Sequence, residues 1–142
     1  MKLAIVASYF LAALVFFSCK STQEIKGDGL IGPTWELEYL SGPRIAFQGL
    51  FRERKPKISF QKDTKKVEGN AGCNGYTTDY KLNGRSISFS QPGPTTRMYC
   101  GEGEKHFLNA MRKVDGYNID ENGKLNLLAG PVPMLRFHPV NE

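Results

Sequence analysis

The chain has 142 residues, with 19 basic and 14 acidic side chains and a formal net charge of +5. That length supports one domain with a modest core and is too short for two. The basic residues are spread through "RERKPK", "KDTKK" and "RKV"; they do not line one helix and no nucleic-acid motif accompanies them, so nucleic acid is not an expected partner.

The first residues speak to compartment. Met1-Lys2 provides a short positive start, and "LAIVASYFLAALVFF" (residues 3–17) is uncharged and mostly apolar. The run is short for a membrane-spanning helix, which needs roughly 20 apolar residues. It reads as a secretory signal peptide, outside the fold proper. Ser18 directly precedes Cys19, an ending that resembles a bacterial lipoprotein signal, in which Cys19 is lipidated and becomes the mature N-terminus. Phe16 departs from that pattern, where leucine is commoner; an ordinary cleaved signal or an uncleaved anchor is the alternative. The expected organisation is a signal peptide over 1–18, a lipidated tether over 19–33, and one domain over 34–142. The tether, "KSTQEIKGDGLIGP" after Cys19, is polar and glycine-bearing. A lipid anchor places the chain on a membrane of the bacterial envelope, with the outer membrane expected. Loss of Lys2 lowers the net charge by one, and the basic stretches read as solvated loops, weak contact with anionic lipid or polysaccharide being the other possibility.

From Thr34 onward, short alternating segments are separated by turn signals. "TWELEYL" sets Trp35, Leu37 and Tyr39 against Glu36 and Glu38, the period-2 mark of a half-buried strand. "PKISFQ" puts Ile58 and Phe60 on one face, and "KDTKK" turns into "KVEGN". "YTTDYKL" passes through Asn83-Gly84, a hairpin signal, into "SISFS". "YNID", "KLNLLA" and "PMLRFHP" repeat the theme. Between them, Phe107, Ala110, Met111 and Val114 fall at i, i+3, i+4 and i+7, one buried face of a helix that Gly116 is placed to end. Acids at its start (Glu102, Glu104) and bases at its end (Arg112, Lys113) suit the helix dipole. About eight strands and one amphipathic helix, without βαβ alternation, predict a mainly β fold: a small open antiparallel β-barrel or strongly curled sheet with the helix against an open side.

Several segments together resemble the META domain, the family of the bacterial heat-shock protein HslJ. They are "GPTWELEYLSG", "VEGNAGCNGYTTDYKLNGRSISF", "TTRMYC" with the acid-bearing helix after it, and the closing "KLNLL" and "MLRF". The resemblance runs from about Thr34 to Phe137 and is most specific in "GCNGY" followed by "TTRMYC". It departs at Tyr99, where a small residue is more usual, and in the basic stretch "RIAFQGLFRERK". It implies a cracked β-barrel with a helix, similar to the pilotin lipoproteins of secretion systems. It also implies a role associated with stress tolerance, motility or virulence, and no established enzymatic reaction.

Apart from Cys19, the cysteines are Cys73 and Cys100, both within the matching segments. An even pair in an oxidising compartment favours a disulfide; two free buried thiols, a nucleophile or a metal ligand remain the alternatives. A cysteine nucleophile needs a neighbouring base, and His106 and His138 are the candidates. A cysteine-dependent hydrolase or thiol enzyme is therefore the second functional reading. Zinc would need about four ligands at recognisable spacing, and no cofactor motif is present, so neither metal nor cofactor is expected. Asp63, Glu68 and Asp79 read as solvated charges. The strand aromatics Trp35, Tyr39, Phe60, Tyr76, Tyr80, Phe89 and Phe137 read first as core. If the barrel is cracked open, Trp35, Tyr76, Met98 and Phe107 are the candidate lining of an apolar groove. The sequence thus predicts a monomeric, non-enzymatic, stress-related envelope lipoprotein that binds an envelope protein, a lipid or a hydrophobic small molecule.

Overall fold

The computed structural model describes residues 29–44, 46–91, 93–94 and 98–141. Cys19 and the signal segment lie outside them. Strands β1 (Thr34–Leu40), β2 (Lys57–Gln61), β3 (Lys66–Asn70), β4 (Gly75–Asn83), β5 (Ser86–Phe89), β6 (Gly93–Pro94), β7 (Gly116–Ile119), β8 (Leu125–Ala129) and β9 (Val132–Val140) form one sheet. Two helices accompany it, α1 (Phe47–Leu50) and α2 (Gly103–Met111).

Neighbouring strands run β3-β2-β1-β9-β8-β7-β5-β4-β6, and β3 also pairs with β4. Eight strands therefore make a complete antiparallel circuit, with the two-residue β6 added beside Tyr76 and Thr77 of β4. The fold is the mainly β, strongly curled sheet that the alternation predicts. Its joints are unequal. β3 and β4 share five residue pairs, from Lys66↔Asp79 to Asn70↔Gly75, whereas β5 and β7 share only Ser86↔Gly116. The sheet is thinnest there.

Alternation along each strand sends one set of side chains inward. Trp35, Leu37, Ile58, Phe60, Val67, Tyr76, Tyr80, Ile87, Leu125, Leu127, Leu135 and Phe137 are all buried. Helix α2 adds Phe107, Ala110 and Met111 from its inner face. The Phe107 ring lies 5.8 Å from that of Tyr76 and 6.5 Å from that of Phe137, so the helix fills the end of the curled sheet.

The structure corrects four expectations. Tyr39 is 43% exposed and Leu40 takes the inward place, because β1 carries an extra residue opposite β9. Leu37 faces Phe137 but Tyr39 faces Arg136, and this bulge at Glu38 switches the faces. The helix stops at Met111 rather than running to Gly116; Val114 stays buried in the following turn and Gly116 opens β7. Residues 29–33, assigned to the tether, include Leu30, which is 1% exposed and accepts a 3.0 Å hydrogen bond from Trp35 Nε1. The basic stretch "RIAFQGLFRERK" holds α1 and buries Leu50 and Phe51.

One polar atom in the core is unsatisfied. Tyr76 Oη is buried without a hydrogen-bond partner among the described residues, and burial pushes its phenol well above the ordinary range. Tyr76→Phe should therefore leave the fold intact and raise stability by about 1 kcal/mol, read as a higher midpoint in urea. A lower midpoint would show that the hydroxyl is engaged. Phe107→Ala should cost roughly 3–5 kcal/mol, with cooperative unfolding shifted to lower urea.

Candidate functional site

The segment between β3 and β4 makes a tight corner. Asn70 Oδ1 accepts from the backbone of Gly72 at 3.0 Å, and Ala71 N donates to Asn74 O at 2.9 Å. Gly72 has φ +98°, and a Cβ there would sit 2.7 Å from the Phe51 ring. Both the conformation and the close approach require glycine. Gly103, at the start of α2, is equally confined: a Cβ would lie 2.4 Å from Leu50 O. Phe51 thus packs between the corner and the helix, and only glycine at each contact leaves it room.

Asn74 then ties three segments together. Its Nδ2 donates to Met98 O and to Glu104 Oε2, both at 2.7 Å. Its Oδ1 accepts from Met98 N at 2.8 Å, and its backbone N donates to Glu104 Oε2 at 3.3 Å. The side chain is 4% exposed, so these bonds form largely out of water. Beside it, Cys73 and Cys100 form a disulfide with Cα atoms 5.8 Å apart, well within the range such a bond spans.

Held at both ends, residues 98–101 stand out as a ridge. Met98 is 67% exposed and Tyr99 82% exposed. A depression lies on each side. One, about 430 Å³, is bounded by Leu108, Asn109 and Arg112 of the α2 side; the other, about 540 Å³, by Leu50, Phe51 and Arg52 of the α1 side. Both volumes fall in the range of small-molecule sites.

These placements revise the candidate groove. Trp35, Tyr76 and Phe107 are interior residues, 2%, 2% and 0% exposed, and do not line an opening. The interior alternates large side chains that interlock with the helix, which fills the space a groove would need. Of the four, Met98 alone is at the surface. Cys73 and Cys100 come together, and a disulfide has no thiolate to serve as nucleophile. His138 projects from β9 between two carboxylates of β1, with Nδ1 3.5 Å from Glu38 and Nε2 3.8 Å from Glu36. Among the described residues no group of three or more His, Cys, Asp and Glu side chains could hold a metal ion. Nor is any helix of these residues long and apolar enough to cross a membrane. The reach of Asn74 to Met98 and Glu104 was not visible in the sequence, where its type suggests a local turn; nor was the exposure of Tyr99, although that residue departs from the usual pattern.

The META domain model matches residues 28–140. The chain belongs to the META domain family. It is not a known enzyme family. The fold is similar to an NMR structure of a protein from Burkholderia xenovorans, with TM-score 0.61 and 24% identity over 80% of this chain and 85% of that one; the likeness concerns the fold alone. Comparison with curated proteins gives no significant match. In this META domain the corner is a mechanical joint, with the ridge as its exposed product.

Two variants test that joint. Asn74→Asp replaces a donor by a carboxylate facing Glu104, and should lower stability by about 3 kcal/mol, since a buried group left unpaired costs roughly 1–3 kcal/mol. Removing the disulfide as Cys73→Ser with Cys100→Ser, which opens a 27-residue separation, should cost about 3.5 kcal/mol on the chain-entropy estimate. Urea unfolding of both reads the outcome; a double cysteine variant as stable as the parent would mean the clamp alone holds the ridge.

Proposed function

We propose that the chain is a lipid-anchored lipoprotein of the bacterial envelope, acylated at Cys19. Its META domain acts as a non-enzymatic, stress-related binding module. The binding surface is the ridge at Met98 and Tyr99 with its flanking depressions. The observation that carries this reading is the exposure of Tyr99 and Met98 on a segment fixed by a disulfide and by the Asn74 clamp. Large apolar side chains displayed on a rigid base are what recognition sites use, since little conformational freedom is lost when a partner docks. The lipoprotein part rests on the apolar run ending at Ser18-Cys19.

The full chain should bind a neutral solvatochromic dye such as Nile red saturably. Tyr99→Ser with Met98→Ser should weaken that binding about tenfold or more without lowering the urea midpoint. Equal binding by parent and variant would place any apolar site elsewhere. For the anchor, cells fed an alkyne-bearing fatty acid should label the parent chain and not Cys19→Ala; equal labelling of both, or of neither, would refute acylation at Cys19.

A further inference from the structure

The depression on the α2 side is polarised along its length. Lys105, Leu108 and Asn109 line it from α2 and Arg112 from the residue that caps the helix in helical conformation, at the spacing that puts residues on one helical face. Met98 and Tyr99 face them from the ridge. At the N-terminal end of the helix the charges are already answered. The Glu104 carboxylate accepts from Asn74, and Glu102 lies 3.4 Å from Lys105. At the other end, Arg112 Nη2 donates to the Asn109 side chain. Among the described residues no carboxylate lies within ion-pair distance of that guanidinium. Glu104 and Arg112 are eight residues apart, so about 12 Å of helix separates them. Leu108 lies between.

On the reading that the ridge is a binding surface, we propose that this cleft takes an anionic amphiphile: a carboxylate head on Arg112 and a short apolar body along Leu108, Met98 and Tyr99. A guanidinium presents a planar fork of donors that a carboxylate can accept in pairs. The apolar body gains from leaving water against Leu108 and the ridge side chains. A cationic head fits worse, because Arg112 repels it and the two glutamates are engaged by Asn74 and Lys105.

The test is calorimetric titration of the full chain with decanoate, decanol and decyltrimethylammonium, each below its aggregation concentration. Decanoate should bind about tenfold more tightly than decanol, the difference one charge-assisted contact makes, roughly 1.4 kcal/mol. Arg112→Gln should erase that preference and leave decanol unchanged; Leu108→Ser should weaken both. Equal binding of decanoate and decanol by the parent chain, or a preference that survives Arg112→Gln, overturns the proposal. If Nile red still binds at the ridge in that case, the binding-module reading stands and only the ligand class falls. If neither dye nor amphiphile binds, both fall.

Discussion

The buried amide of Asn74 is the constraint on which the rest of the site depends. Its neighbours in space, Met98 and Glu104, are 24 and 30 residues away in sequence. A backbone turn satisfies itself locally; this one spends its side chain on two distant segments. Each hydrogen bond is worth on the order of 1 kcal/mol net, but removing the amide takes the partner from the Met98 N–H and carbonyl at once and leaves Glu104 only the backbone N–H of residue 74. The adjacent disulfide ties the corner to the ridge covalently, and the helix is held through Glu104. The start of β4, the ridge and the first turn of α2 therefore move as one body.

That body in turn positions the weakest joint of the sheet. Helix α2 leads within a few residues to Asp115, whose backbone N donates to Leu128 O at 2.9 Å and whose carbonyl accepts from Ile87 N at 3.2 Å and Ser86 Oγ at 3.1 Å. The Asp115 carboxylate accepts from Gly130 N at 2.9 and 3.1 Å. A single residue at the helix exit thus bonds to β5, to β8 and to the turn before β9. The single residue pair between β5 and β7 is enough because this knot sits beside it. Phe107, locked between Tyr76 and Phe137, keeps the helix in place at the other side of the same end.

Strands were legible wherever alternation was clean, as in Ile58/Phe60 and Leu125/Leu127, because a sheet with one face inward imposes period 2 directly on hydrophobicity. Tyr39 was misread for a physical reason: a bulge is set by the partner strand's register, and "TWELEYL" contains no mark of it. Leu50 and Phe51 were hidden by the charged residues around them, although Phe47 and Phe51 stand four apart, as neighbours on a helix do, with ring centroids 5.1 Å apart. The site was less legible than the fold. Residue type identified Trp35, Tyr76 and Phe107 as large and apolar, and in a small domain such residues are needed for the core itself. Exposure at Tyr99 depends on the turn geometry and the clamp, which are tertiary facts.

A filled interior has a consequence for function. The aromatic rings of Tyr76, Phe107 and Phe137 occupy the centre, and protein cores pack near crystal density, so an interior ligand would have to displace the helix. Displacing it would also break the Glu104 contact with Asn74 and expose Phe107 and Met111, a cost comparable to a large part of a small domain's stability, which is only about 5–15 kcal/mol. Recognition without such unfolding is confined to the surface. There, among the described residues, Met98 and Tyr99 are the most exposed large apolar side chains, and the corner fixes the backbone that carries them. The residues most useful for identifying the fold, Gly72, Cys73 and Asn74, contribute to recognition by fixing where Met98 and Tyr99 stand.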